Sequence, residues 1–218
     1  MTEPYNPLSK LNLARSIEGE ILSRPLVRLG EIGRFAGAGI YALYYAGGFD
    51  AYGSLKDSLV GESPRPIYVG KAIRAGGRTG GLLQSDKATY ALAGRLRKHG
   101  KSITAASNLE LDDFWVRYLS VDDVWIPLGE NMLIETYRPV WNKITSGFGN
   151  NPLGKGRKDQ KISLWDILHP GRISGTDPNI QVATQLELVE RVVAFFAGEV
   201  VPESDERDTS LDVEDAPD

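Results

Sequence analysis

The chain has 218 residues, no cysteine, two histidines and a formal charge of −4. That length allows one well-cored domain with appendages but not two large ones, and the composition excludes disulfides, thiolate zinc sites and a multi-histidine metal cage. With no apolar run of 18 residues and no charged-then-apolar leader, nothing points to a membrane span or to secretion, and the expected compartment is the reducing cytoplasm.

The charge is uneven. Pro202 to Asp218 holds eight acidic residues and one basic one, and subtracting that −7 from the total leaves residues 1–201 at +3. The segment 202–218 is expected to be a disordered acidic tail. Lys71 to Lys101 carries eight Lys/Arg against the single Asp86, and Lys143 to Lys161 carries five against Asp159. Two basic segments in one body point equally to a polyanion track and to a solvated face.

In chain order, Leu11, Ile17, Ile21 and Leu22 form a partial helical stripe that Pro25 ends. Gly39-Ile40-Tyr41-Ala42-Leu43-Tyr44-Tyr45 and Pro66-Ile67-Tyr68-Val69-Gly70 are short β-branched and aromatic runs bounded by glycine or proline, so they read as neighbouring strands. Between them, Tyr52 to Leu59 has a short helical pattern. Ala75 to Gly81 is a glycine-rich loop without P-loop spacing, better suited to touching DNA than to cradling a nucleotide. A helix is expected from Asp86 or Lys87 to His99, stopped by Gly100; it sets Arg95 and His99 one turn apart, a cation and an imidazole able to hold a phosphate and handle a proton. Phe114 to Val121 reads as a strand.

Pro127 opens a helix to Tyr137 that contains two acids. At about 100° per residue with Glu130 as zero, Leu133, Ile134 and Tyr137 fall near −60°, +40° and −20°, and Glu135 near +140°. Glu130 is therefore centred on the apolar stripe, where a carboxylate needs a cation, a metal or a proton, while Glu135 faces solvent. Thr184 to Ala197 closes the chain as an amphipathic helix using Leu186, Val189, Val192, Val193 and Phe196.

Gly39-Ile40-Tyr41, Tyr68-Val69-Gly70, Arg95 with His99, Glu130 and the Pro139-Val140-Trp141-Asn142 ending together resemble the GIY-YIG nuclease superfamily over residues 38–142. Within it the chain is most similar to the type II restriction endonucleases that cut the palindrome CCGCGG. The long insertion before the Arg/His helix, the basic region from Asn142 to Lys161 and the lack of an appended repair domain carry that narrower match. The expected fold is α/β (α+β): a small central mixed sheet flanked by helices, with helical and loop additions at both ends. One endonuclease domain is expected over 1–201, with DNA-recognition extensions at 71–103 and 143–176 and a C-terminal helix at 184–197.

The resemblance implies that Glu130 binds one Mg²⁺ or Mn²⁺ ion and that Arg95 clamps the scissile phosphate. It implies that Tyr41 acts on the attacking water, with His99 able to take its proton, Tyr68 orienting the water or phosphate and Asn142 bracing the site. Whether Tyr41 is the base or a relay is left open; a free phenol near pKa 10 needs nearby positive charge to act as a base. Arg74 and Arg78 compete with Arg95 for the arginine role, but only Arg95 has the histidine beside it. The expected DNA contacts are Lys71, Arg74, Arg78, Arg97, Lys98, Lys155, Arg157, Lys158 and Arg172. Arg157 and Arg172 are placed equally well to read guanines or to hold phosphates, and His169 reads as structural. Double-stranded DNA is the expected partner, a palindromic target favours a homodimer, and the family implies a cognate DNA methyltransferase in the same system. Among rivals, Asp159-Gln160-Lys161 has no strand around it to make a PD-(D/E)xK site, an HNH site needs more histidines, and a structure-specific repair nuclease or a catalytically silent DNA-binding module shares parts of the pattern.

Overall fold

A computed structural model describes residues 6, 8–56, 59, 65–74, 89–150, 162–172 and 183–204. Its sheet joins β1 (Val27–Arg28), β2 (Gly39–Tyr45), β3 (Tyr68–Ala72) and β4 (Phe114–Ser120) in the order β1-β4-β2-β3. The expected α/β architecture is present, but among the described residues every pairing is antiparallel, so the sheet is antiparallel and not mixed. Among the described residues no crossover helix returns the chain in the same direction between paired strands, which is what a parallel pair would need.

Strand β2 is buried along its whole length because helices cover both of its faces. Tyr41, Leu43 and Tyr45 project with Tyr68 into a core shared with Leu92, Leu96, Trp141, Phe148 and Trp165. Ile40, Ala42 and Tyr44 project the other way, towards Ile21, Ile126 and Leu133. This is the two-residue alternation of a strand applied to a run apolar at every position. Helices α1 (Lys10–Ser23) and α3 (Ile126–Tyr137) cover the second face, and α2 (Ala91–Ala105) covers the first. Gly129 lets α3 approach closely, since a Cβ there would lie 2.9 Å from both Ile17 and Ile40.

Helix α2 departs from expectation at both ends. As described it begins at Ala91, and it passes through Gly100 for five more residues. A mid-helix glycine costs about 1 kcal/mol; here burial of Ser102 and Ile103 beyond it outweighs that preference. The helix ends against the turn at 170–171, where Ser107 N–H donates to the Pro170 carbonyl.

The short helices α4 (Val140–Lys143) and α5 (Leu164–Leu168) precede α6 (Gln185–Phe196). Thr184 and Glu187 form a capping box, and Gly198 at φ +81° follows the helix end. The buried residues of α6 are Leu188 and Val192, whereas Leu186 and Val193 are exposed, so the packed stripe is narrower than the sequence pattern implied. The tail also begins later than expected. Glu203 pairs with Arg138 and Lys143, and Ser204 donates from both its N–H and its hydroxyl to the Lys143 carbonyl. The remainder of the expected tail, 205–218, lies outside the described residues. Among the described residues no helix is long and apolar enough to cross a membrane.

Candidate active site

Two glycines in the strand motifs are there for steric reasons. A Cβ at Gly39 would come 2.0 Å from the Leu119 carbonyl oxygen on β4, and one at Gly70 would come 2.4 Å from the Tyr41 hydroxyl. Tyr41 and Gly70 are cross-strand partners, so the phenol lies over the position where β3 has no side chain.

Above it, the Tyr41 hydroxyl is 2.6 Å from His99 Nε2, and Arg95 Nε donates to the same oxygen at 3.5 Å. Helix α2 makes this possible by carrying Arg95 and His99 on one buried face, as their spacing predicted. Burial, with the charges of Arg95, Arg172 and Lys98 adding to it, holds the His99 pKa well below the ordinary histidine value. The imidazole is therefore neutral near pH 7. The neutral ring accepts the phenol proton at Nε2 when its own proton is on Nδ1 and donates to the phenol oxygen when it is on Nε2; Arg95 donates to that oxygen in either case.

Tyr68 completes this group. Its ring lies 6.2 Å from that of Tyr41 and meets His99 edge-on at 5.4 Å. Phe148 stacks flat on His99, with centroids 4.4 Å apart and planes at 17°. Sequence reasoning missed Phe148; its only local signal is an aromatic between two glycines, and Gly147 does adopt φ +108°.

Asn142 braces the outer edge of β3. Its Oδ1 accepts from Val69 N–H and its Nδ2 donates to the Val69 carbonyl, both at 2.8 Å, satisfying strand groups that no further strand among the described residues pairs. Trp141 N–H adds a bond to the Ile67 carbonyl.

Glu130 lies on the other face of β3. Lys71 is the register partner of Ile40, and its Nζ is 2.5 Å from Glu130 Oε2. The two acids of α3 separate as the helical arithmetic predicted: the Glu130 side chain is 13 % exposed and that of Glu135 is 73 % exposed, the latter paired with Lys143. The expected site residues thus fall into two groups on either side of an edge strand, Tyr41, Tyr68, Arg95 and His99 on one and Lys71 with Glu130 on the other.

Among the described residues no three or more His, Asp or Glu side chains gather as a metal cage. A hydrated hard cation needs no cage, because Mg²⁺ keeps several waters and binds through one or two carboxylates plus phosphate oxygens. Glu130 fits that use: it is a largely buried carboxylate that already takes a cationic partner, the Lys71 ammonium.

Of the expected DNA contacts, Arg97 is exposed and Lys98 half-buried on α2, and Arg74 is half-exposed with its Nε 3.9 Å from Asp123. Arg78, Lys155, Arg157 and Lys158 lie outside the described residues. The Arg172 guanidinium forms a bidentate pair with Asp166, with both contacts at 2.8 Å, donates to the Gly147 and Phe148 carbonyls, and lies over the Trp165 ring. Only 4 % of the side chain is exposed, and its bonds hold the loop carrying Phe148. His169 is structural as expected: it is buried between the Tyr52 hydroxyl and Asn108.

Comparison with known families decides the identity of this arrangement. The model of the Eco29kI GIY-YIG domain matches residues 33–196. The chain belongs to the Eco29kI family of GIY-YIG restriction endonucleases. The match runs beyond the Pro-Val-Trp-Asn ending to include α5 and α6. No curated protein matches the chain. As a GIY-YIG nuclease domain, the fold has DNA as its substrate.

Proposed function

We propose that this GIY-YIG protein is a type II restriction endonuclease that hydrolyses both strands of a palindromic, GC-rich DNA site, CCGCGG or a relative of it, using Mg²⁺ or Mn²⁺. The observation that carries the catalytic part is the contact of Tyr41 with a neutral His99 and with Arg95, over a strand position that must be glycine.

On this reading the scissile phosphate lies along the free edge of β3 near Gly70, within reach of groups from both faces. Arg95 holds a phosphate oxygen and opposes the charge that builds up in the transition state. The Tyr41 hydroxyl orients the attacking water and passes a proton towards His99 Nε2, which accepts it when the ring proton is on Nδ1. Tyr68 and Phe148 fix the His99 ring and keep bulk water from it. Asn142 holds β3, and so the Tyr68-Val69-Gly70-Lys71 run, in place. Glu130 would hold the metal ion, which when bound would supply Lewis-acid stabilisation of the charge developing on the phosphate.

The further parts of the reading rest on the family and on charge. Residues 1–201 act as one endonuclease domain, with 71–103 and 143–176 as DNA-recognition extensions in which Arg78, Lys155, Arg157 and Lys158 supply contacts. The protein acts as a homodimer matched to a two-fold target, in the cytoplasm, alongside a methyltransferase that protects the same site. The test is incubation of plasmid and phage DNA with purified protein, with and without Mg²⁺, beside Glu130→Gln. Discrete metal-dependent fragments that the variant does not produce are the expected result, and their mapped ends give the site. DNA binding without cleavage under every divalent metal would instead mark a silent DNA-binding module.

A further inference from the structure

Lys71 and Glu130 form the closest ion pair of the candidate site, and their placement has a consequence for the order in which metal and DNA bind. The carboxylate is 13 % exposed and its ammonium partner 32 % exposed. A largely buried carboxylate needs a positive partner, and stripping that partner away is costly. In the protein without metal, Lys71 is that partner at Oε2. A divalent cation brings two positive charges to the same carboxylate, and Coulomb repulsion then drives the ammonium off. Lys71 sits on the edge strand next to Gly70 and is the more exposed member of the pair, so it can swing out to a DNA phosphate while Glu130 stays on its helix.

We propose that Lys71 is an exchange residue: it occupies Glu130 until DNA arrives, then transfers to a phosphate and hands the carboxylate to the metal ion. This rests on the assignment of Glu130 as the metal-binding residue. Free protein holds divalent metal weakly, DNA tightens metal binding, and by linkage metal tightens DNA binding by the same factor. The device keeps metal affinity low on the free enzyme, where a loaded site would meet non-target nucleic acid.

The probe is Mn²⁺, titrated calorimetrically into free protein and into a complex with duplex DNA, in a Tyr41→Phe background with duplex integrity checked on gels. Relative to that background, Lys71→Met should bind Mn²⁺ roughly tenfold more tightly without DNA, within the usual range of coupling between sites. The factor by which DNA tightens Mn²⁺ binding should shrink by the same amount, and Lys71→Arg, which keeps the cation, should stay weak. Lys71→Met binding Mn²⁺ no more tightly overturns the exchange. Mn²⁺ binding unchanged by Glu130→Gln would overturn the metal assignment instead, which separates the two failures. A second readout needs no variant: in DNA-free protein, acylation of wild-type Lys71, followed by mass spectrometry, should increase several-fold once Mn²⁺ is raised to saturate its weak site, and no increase at saturation overturns the proposal.

Discussion

Tyr41 and Gly70 face each other across the β2–β3 pair so closely that a methyl group at position 70 would lie 2.4 Å from the phenol oxygen. Two features of the motifs, the first tyrosine and the last glycine, are therefore one steric unit. Gly70→Ala must push the Tyr41 hydroxyl off His99 Nε2, and misplacement of a reacting group by about 1 Å costs on the order of 100-fold in rate. We expect single-turnover cleavage to fall by about that factor with DNA affinity unchanged. Gly39→Ala should behave differently, because its Cβ meets the Leu119 backbone carbonyl at 2.0 Å and the sheet itself must open. Equal cleavage rates for Gly70→Ala and wild type would refute the steric account.

The brace on β3 makes a second prediction. Asn142 meets both the N–H and the carbonyl of Val69, so Asn142→Leu leaves two edge-strand groups without their partner. The cost expected is about 1–3 kcal/mol per buried unsatisfied group, towards the low end at a sheet edge. Asn142→Asp retains the acceptor but sets a carboxylate against the Val69 carbonyl, and should be no better. Denaturant midpoints, with hydrogen exchange at the Val69 amide as the local readout, check this; an unchanged exchange rate in Asn142→Leu would contradict it.

Much of this was readable from residues alone, and the limits have physical causes. Strand identity, the Arg95/His99 pairing and the choice of Glu130 over Glu135 depend on periodicity, a local property that survives folding. Gly100 was misread as a helix stop because its signal is intrinsic propensity, which burial of Ser102 and Ile103 overrides. The pairing of Arg172 with a buried Asp166 six residues earlier is not legible from charge alone. Phe148 and the Tyr52–His169 pair are joined by contacts between distant segments, which no window of sequence contains.

The buried histidines predict acid lability. Burial lowers the His169 pKa to about 3 and holds that of His99 well below 6.5. Unfolded, both titrate near 6.5, so below that pH the unfolded chain binds more protons than the folded one. Their contribution to stability is fully present above pH 6.5 and declines as pH falls from there towards 3. Each histidine contributes a slope of at most about 1.4 kcal/mol per pH unit. Chemical denaturation between pH 7.5 and 4.5 should show this loss, with a shallower slope in His169→Gln. A flat profile across that range would mean that the rings are not held neutral.

Arg172 yields the prediction that separates structure from recognition. Its guanidinium contacts the Asp166 carboxylate through two bonds and the carbonyls of Gly147 and Phe148 through others, a planar fork that lysine cannot reproduce. Arg172→Met leaves Asp166 as an uncompensated buried charge, a loss expected at about 3–5 kcal/mol. Arg172→Lys keeps the charge but not the fork, and should recover only part of that loss. Where the lysine variant remains folded, the dependence of DNA affinity on salt should match wild type, because a residue bound inside the protein releases no counterions from DNA. A salt slope smaller by about one would show that Arg172 reaches a phosphate. Cleavage should still fall in that variant, since the loop Arg172 pins carries Phe148, and Phe148 holds the ring of His99 against Tyr41.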